Sequence, residues 1–170
     1  MSLVDTTWNA DQKYQSLAAA KAAGFVPITP TGLPVVRYLN LANYSATARG
    51  GTVLNPTATQ SLVYANTRNG AVLAAVMYMS TRRDGTPPSP GGCLTQWHVH
   101  TNLCMNPQRG VVALADPTCP AGSVNRVTGP MLHVWFVPIP GGPTAVAPDA
   151  PDAQVVQAAG KVRHPANAKA

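Results

Sequence analysis

The sequence predicts a mainly β (α+β) domain, with an N-terminal helix packed on a curled, mostly antiparallel sheet that forms a small barrel or sandwich. Three observations carry this. One alanine- and leucine-rich stretch near the N-terminus has helical spacing, and a series of short apolar runs between turn residues has strand character. In addition, 17 prolines and 14 glycines, close to a fifth of the 170 residues, punctuate the chain too often for a helical bundle.

The helix is expected over residues 5–24. Asp5 or Thr6 can cap it, Asp11 adds negative charge near its start, and Gly24 is a natural residue just past its end. Tyr14, Leu17, Ala18 and Lys21 fall on one side at i, i+3, i+4 and i+7 spacing, with the lysine stem able to snorkel at the edge. Pro27, Pro30, Gly32 and Pro34 then forbid regular structure until Val35.

Strands follow. The first is Val35 to Leu39; Ser61 to Asn66 and Ala71 to Ser80 flank Thr67-Arg68-Asn69-Gly70, whose Asn-Gly pair is a strong hairpin signal. The near-continuous apolar run from Ala71 to Met79 fits a central strand covered on both faces. After a Pro/Gly loop from Arg82 to Gly92, Leu94 to Thr101, Val111 to Leu114 and Met131 to Val137 complete the set. Beyond Pro138 large apolar residues become scarce. Residues 1–143 therefore read as a single β-rich globular domain, and 144–170 as a Pro/Ala-rich flexible arm in which Ala153 to Ala159 can form a short helix.

Only 11% of residues are charged, and all six acidic residues are aspartates; the chain has no glutamate. The net charge of +6 comes from scattered residues, with Arg82-Arg83 the one adjacent basic pair, so nucleic acid is not the expected partner. No run of eighteen apolar residues could span a membrane. Nor does a basic segment precede an apolar stretch of the secretory-signal type, so an exported protein is expected here as a mature domain trimmed of its leader.

Three cysteines give an odd count. Cys104 and Cys119, flanking a loop with Asn106-Pro107, Gly110 and Asp116-Pro117, are the favoured pair. A bridge closing about fifteen residues would contribute roughly 3 kcal/mol. Cys93 would be left over as a buried thiol or an alternative partner, and three reduced, buried thiols are the competing reading; spacing does not fix the pairing.

The residues with chemical potential are three of the four histidines. Trp97-His98-Val99-His100 and Met131-Leu132-His133-Val134-Trp135 both read as strands. Alternation puts Leu94, Gln96, His98 and His100 on one face of the first, and Met131, His133 and Trp135 on one face of the second. If the two strands pair antiparallel, three imidazoles converge, as on a metal ion held at about 2.0–2.1 Å with one exchangeable position. A sheltered group of imidazoles favours a cation, since the neutral ring is a ligand. Gln96 and Asn102 are the expected outer partners, orienting a ligand or a bound water. The alternative is that the histidines are ordinary sheet residues bonded to backbone or water. His164, in the tail, is not expected to take part.

Gly92, five residues, then His98-Val99-His100 resembles the first cupin motif, and Gly129-Pro130, two residues, then His133 echoes the second, although the cupin glutamate has no counterpart. The pattern is also similar to the zinc-binding histidine strands of α-type carbonic anhydrases. A longer resemblance, over roughly residues 5 to 145, is to an exported actinobacterial family of unknown function. It is carried by Lys13-Tyr14, Ala22-Ala23-Gly24-Phe25, Tyr38-Leu39-Asn40, Ser61-Leu62-Val63-Tyr64, the run Trp97-His98-Val99-His100-Thr101-Asn102-Leu103-Cys104, Cys119-Pro120-Ala121-Gly122 and Met131-Leu132-His133-Val134-Trp135. That resemblance implies an extracytoplasmic location and supports Cys104–Cys119 as the disulfide. Relatives can carry a histidine where this chain has Arg37, so Arg37 stands where a fourth ligand could be.

Three functions follow as expectations. The first is an extracytoplasmic protein holding one divalent metal ion, zinc or copper, through His98, His100 and His133. Met105 and Met131, close in sequence, would favour Cu(I) if they joined the site. The second is a metal-dependent enzyme of hydrolase, lyase or oxygenase type using the same site. Its candidate acids and bases are Asp84 and Asp116, each with a competing role in a turn, and Tyr38, Tyr64 and Tyr78, each with a competing role in the core. The third is a structural envelope domain without metal.

Overall fold

The structure, a computed structural model, describes residues 2–80, 87–108, 110–114, 118–146 and 151–162. Helix α1 spans Leu3–Asp11. Its cap is Ser2 rather than Asp5 or Thr6: the Ser2 hydroxyl accepts from the Asp5 amide at 3.2 Å, and the Asp5 carboxylate accepts from the Ser2 amide at 3.1 Å. A 3-10 turn at Gln12–Gln15 follows, Ser16 is extended, and α2 restarts over Leu17–Ala22 with the Ser16 hydroxyl as its cap. The single helix expected over 5–24 is thus two. The Tyr14 carbonyl, which a continuous helix would use internally, accepts the Tyr64 hydroxyl instead. Gly24, at φ +89°, turns the chain into the sheet.

Strands β1 (Phe25–Pro27) and β2 (Val35–Asn40) lead into helix α3 (Leu41–Ala48), capped by the Asn40 side chain. Strands β3 (Ser61–Thr67) and β4 (Gly70–Met79) form the expected hairpin, with Gly70 at φ +107° in its turn. Next come β5 (Leu103–Asn106), β6 (Gly110–Leu114), β7 (Val124–Arg126), β8 (Met131–Trp135) and helix α4 (Asp152–Lys161). The main sheet has the order β1-β2-β3-β4-β8 and is antiparallel throughout; a second sheet has the order β6-β5-β7. The α+β expectation holds, with 30% helix and 29% strand, but β1 and β8 are the two ends of an open sheet and no closed barrel forms among the described residues. Among the described residues no helix is long and apolar enough to cross a membrane.

The main sheet is covered on both faces. Val36, Tyr38, Leu62, Tyr64, Val76 and Tyr78 meet the N-terminal helices through Leu3, Trp8 and Leu17. On the opposite face Val63, Ala65, Met77 and Trp135 pack with Val155, Ala158 and Ala159 of α4. That helix is the one the sequence allows over Ala153 to Ala159, and it packs on the sheet although its segment reads as an arm. Its apolar stripe is narrow, with Val155, Ala158 and Ala159 at i, i+3 and i+4, which leaves the segment polar in composition yet able to dock. Ala145 is also buried, and its carbonyl accepts the Trp135 indole N–H at 2.8 Å. Residues 163–170, including His164, lie outside the described residues, as do Asp84 and Asp116.

Cys104, buried in the central strand of the small sheet, is bonded to Cys119 with the Cα atoms 5.4 Å apart. Cys93 is free and exposed on a 3-10 turn at Gly92–Leu94, and is neither a buried thiol nor an alternative partner.

Candidate functional site

Strand β8 is the foundation of the site. It pairs with β4 so that Met77 stands opposite His133 and Ala75 opposite Trp135. His133 therefore projects to the α4 side of the sheet, between Met131 and Trp135. The run around His98 is not the strand expected over Leu94 to Thr101. Gly92–Leu94 is a 3-10 turn, and beyond it His98 makes one antiparallel bridge to Met131, with N–H···O distances of 3.0 and 2.7 Å. His100 continues beside Thr128, which donates its N–H to the His100 carbonyl at 2.9 Å and accepts the His100 N–H through its hydroxyl at 3.0 Å. A short ladder of this kind keeps the extended geometry that sets His98 and His100 on one side. Trp97 turns to the other side, where it packs on the N-terminal layer and donates its indole N–H to the Pro88 carbonyl at 2.8 Å.

The three imidazoles meet. The His98 ring centre lies 5.3 Å from that of His100 and 5.0 Å from that of His133, and the His133 ring is 5.2 Å from the Trp135 ring. Three imidazoles around a tetrahedral zinc ion hold their ring centres roughly 5.2 Å apart, given the ordinary Zn–N length. Among the described residues, however, no group of three or more His, Cys, Asp or Glu side chains is placed so that it could hold a metal ion.

His133 is 5% exposed, and neither of its ring nitrogens has a hydrogen-bond partner. A neutral imidazole carries one donor and one acceptor, and each left unmet in the interior costs about 1–3 kcal/mol. Nδ1 of His98 is also buried without a hydrogen bond of normal geometry, although the Gln96 backbone lies near enough to act on its titration. All three rings are shifted toward the neutral form. Burial is the largest cause; it takes His98 down to about 4 and His133 well below the ordinary histidine value, and it lowers His100 as well. The positive charge of Arg37 adds to the effect on each ring. Neutral imidazole is the form that ligates a metal ion.

The rings open onto a cavity of about 210 Å³, whose wall also includes Arg37, Trp135, Val146 and Asp152. Arg37 comes from β2 and shares a cross-strand row with Val63, Ala75 and Trp135. Burial pulls its guanidinium below the ordinary arginine value, with Asp152 acting in the opposite sense. Asp152, exposed at the first turn of α4, was hidden from sequence reasoning because its segment read as an arm. The signal that could have found it is the Val155, Ala158, Ala159 stripe immediately after it.

The expected outer partners are not brought in by their side chains. Gln96 acts on His98 through its backbone, and neither Gln96 nor Asn102 lines the cavity. Met105 is exposed on β5, and Met131 belongs to the core; neither lines the cavity. Tyr38, Tyr64 and Tyr78 are buried on the opposite face of the sheet, so they are not proton donors to this site.

Compared with known protein families, with characterised proteins and with solved structures, the chain matches none.

Proposed function

We propose that this is an extracytoplasmic protein that binds one transition-metal ion through His98, His100 and His133. The observation that carries the reading is His133, a fully enclosed imidazole with both nitrogens unmet, in contact with a second ring that touches the third. A bound ion satisfies one ring nitrogen on each histidine and leaves room for an exchangeable ligand. With both methionines away from the cavity the donor set is nitrogen, which suits zinc or Cu(II) better than Cu(I). The Cys104–Cys119 disulfide supports an oxidising compartment. The test is elemental analysis of untagged protein after incubation with zinc and copper salts. One ion per chain is expected, and none in a His98→Ala/His100→Ala double variant. No ion in the wild-type protein would leave the structural envelope reading in its place.

One observation favours a metal-dependent enzyme as the second reading. Asp152 places a carboxylate on the cavity wall, where it would stand as a candidate general base if the histidines held an ion that activates water. Turnover in hydrolase or hydration assays, abolished in Asp152→Asn with the metal retained, separates this reading from binding alone.

A further inference from the structure

We propose that the site takes a small oxyanion, one that presents two oxygens on a single central atom, gripped by Arg37 and completing the coordination of the ion on the three histidines. The inference rests on the metal reading above and deepens it by naming the class of exchangeable ligand.

Arg37 is the starting point. It projects from the middle of β2 on the same face as His133, and only the compact side chains of Val63 and Ala75 intervene between it and Trp135. With strands about 4.8 Å apart, that row is roughly 14 Å long. A long arginine side chain reaching inward along it brings the guanidinium to the cavity that His98, His100 and His133 also line. There the guanidinium makes no hydrogen bond or ion pair among the described residues. The acidic side chain on the same wall, Asp152, influences Arg37 electrostatically without pairing with it.

The guanidinium of this partly buried side chain carries donors and no acceptor, so on the cavity wall it offers them to a ligand that supplies acceptors. A divalent ion on the three histidines would share the cavity with the Arg37 guanidinium and make it strongly positive. An anion is the complement. The planar fork of a guanidinium matches two oxygens on one atom, the pattern of carboxylate and phosphate, and a spherical anion cannot use it. Size narrows the class further. About 210 Å³ is well beyond the space of a single water, room for a hydrated ion and a ligand of a few heavy atoms.

Cobalt(II) serves as the probe ion, because its visible absorption reports its coordination. The cobalt-loaded full chain is titrated with acetate, with inorganic phosphate and with chloride. The expected result is a saturable spectral change with acetate or phosphate and none with chloride at equal concentration. Arg37→Met should bind the responding anion at least tenfold more weakly while holding cobalt no less tightly. Arg37→Lys, which keeps the charge and loses the fork, should fall between the two; it carries the test alone if Arg37→Met does not fold. Cobalt binding with no anion response, or an equal response in the arginine variants, overturns the oxyanion inference and leaves the metal site standing. Absence of cobalt binding in the wild-type chain overturns both.

Discussion

His133 and Asp11 are both enclosed ionisable side chains, and burial drives them in opposite directions along the pH axis. Asp11 is 2% exposed, and its carboxylate accepts the Thr59 hydroxyl at 2.6 Å. Burial raises it from 3.8 to about 6, against the lowering effects of Thr59 and Lys13. Below pH 3.8 the group is protonated in both folded and unfolded chains and costs nothing. As the pH rises from 3.8 to about 6 the unfolded chain sheds the proton that the folded chain keeps, and stability falls by roughly 3 kcal/mol, a loss complete above pH 6. The histidines work the other way. They are depressed in the fold, so the stability they contribute is complete above pH 6.5 and is lost as the pH falls toward the folded value of about 4 for His98. Asp11→Asn keeps an acceptor for Thr59 and removes the titration. Urea unfolding should find the variant equal to wild type near pH 4 and more stable by up to about 3 kcal/mol at pH 8; a variant less stable at pH 8 contradicts the assignment.

Among the elements, α4 decides whether the site is enclosed. It closes the face of the sheet from which His133 projects, and its first residue, Asp152, reaches the cavity. Val155 is fully buried, and removing its two methyl groups should cost about 2 kcal/mol, transfer and cavity terms together. Val155→Ala should show that loss in urea unfolding, whereas a change within experimental error would mean that the helix is not part of the core. The sequence allows this helix over Ala153 to Ala159, but its docking is not legible there. A docking stripe of one valine and two alanines is too weak to stand out from a Pro/Ala-rich background, although it suffices once a sheet face lies open to it. Strands β3, β4 and β8 were legible because their apolar runs are long and their turns are marked. The His98 run was misread as a strand: alternation predicts which side chains share a face, and a two-residue ladder satisfies that as well as a full strand does. Arg37 showed as a position of interest, but its entry into the cavity depends on a register that only the paired sheet defines.

At the scale of the whole molecule, two covered sheet faces divide the labour. The N-terminal layer buries large aromatic side chains, among them Tyr64 and Tyr78. The small sheet is held by Cys104–Cys119, a bridge worth roughly 3 kcal/mol for a loop of this length. The α4 face accepts an expense that a purely structural core would avoid, an imidazole with two unmet nitrogens, and under the proposed function a bound ion would meet one of them. Metal should therefore appear as stability. Metal-free wild type and His133→Leu are compared by thermal unfolding at pH 7.5, with and without zinc at a hundred times its dissociation constant. Without zinc, His133→Leu should unfold at a higher temperature than wild type, because the apolar side chain leaves no polar atom unmet. With zinc, wild type should gain about 2.7 kcal/mol and the variant nothing. A wild-type protein that zinc does not stabilise, or a variant stabilised equally, would contradict the metal site.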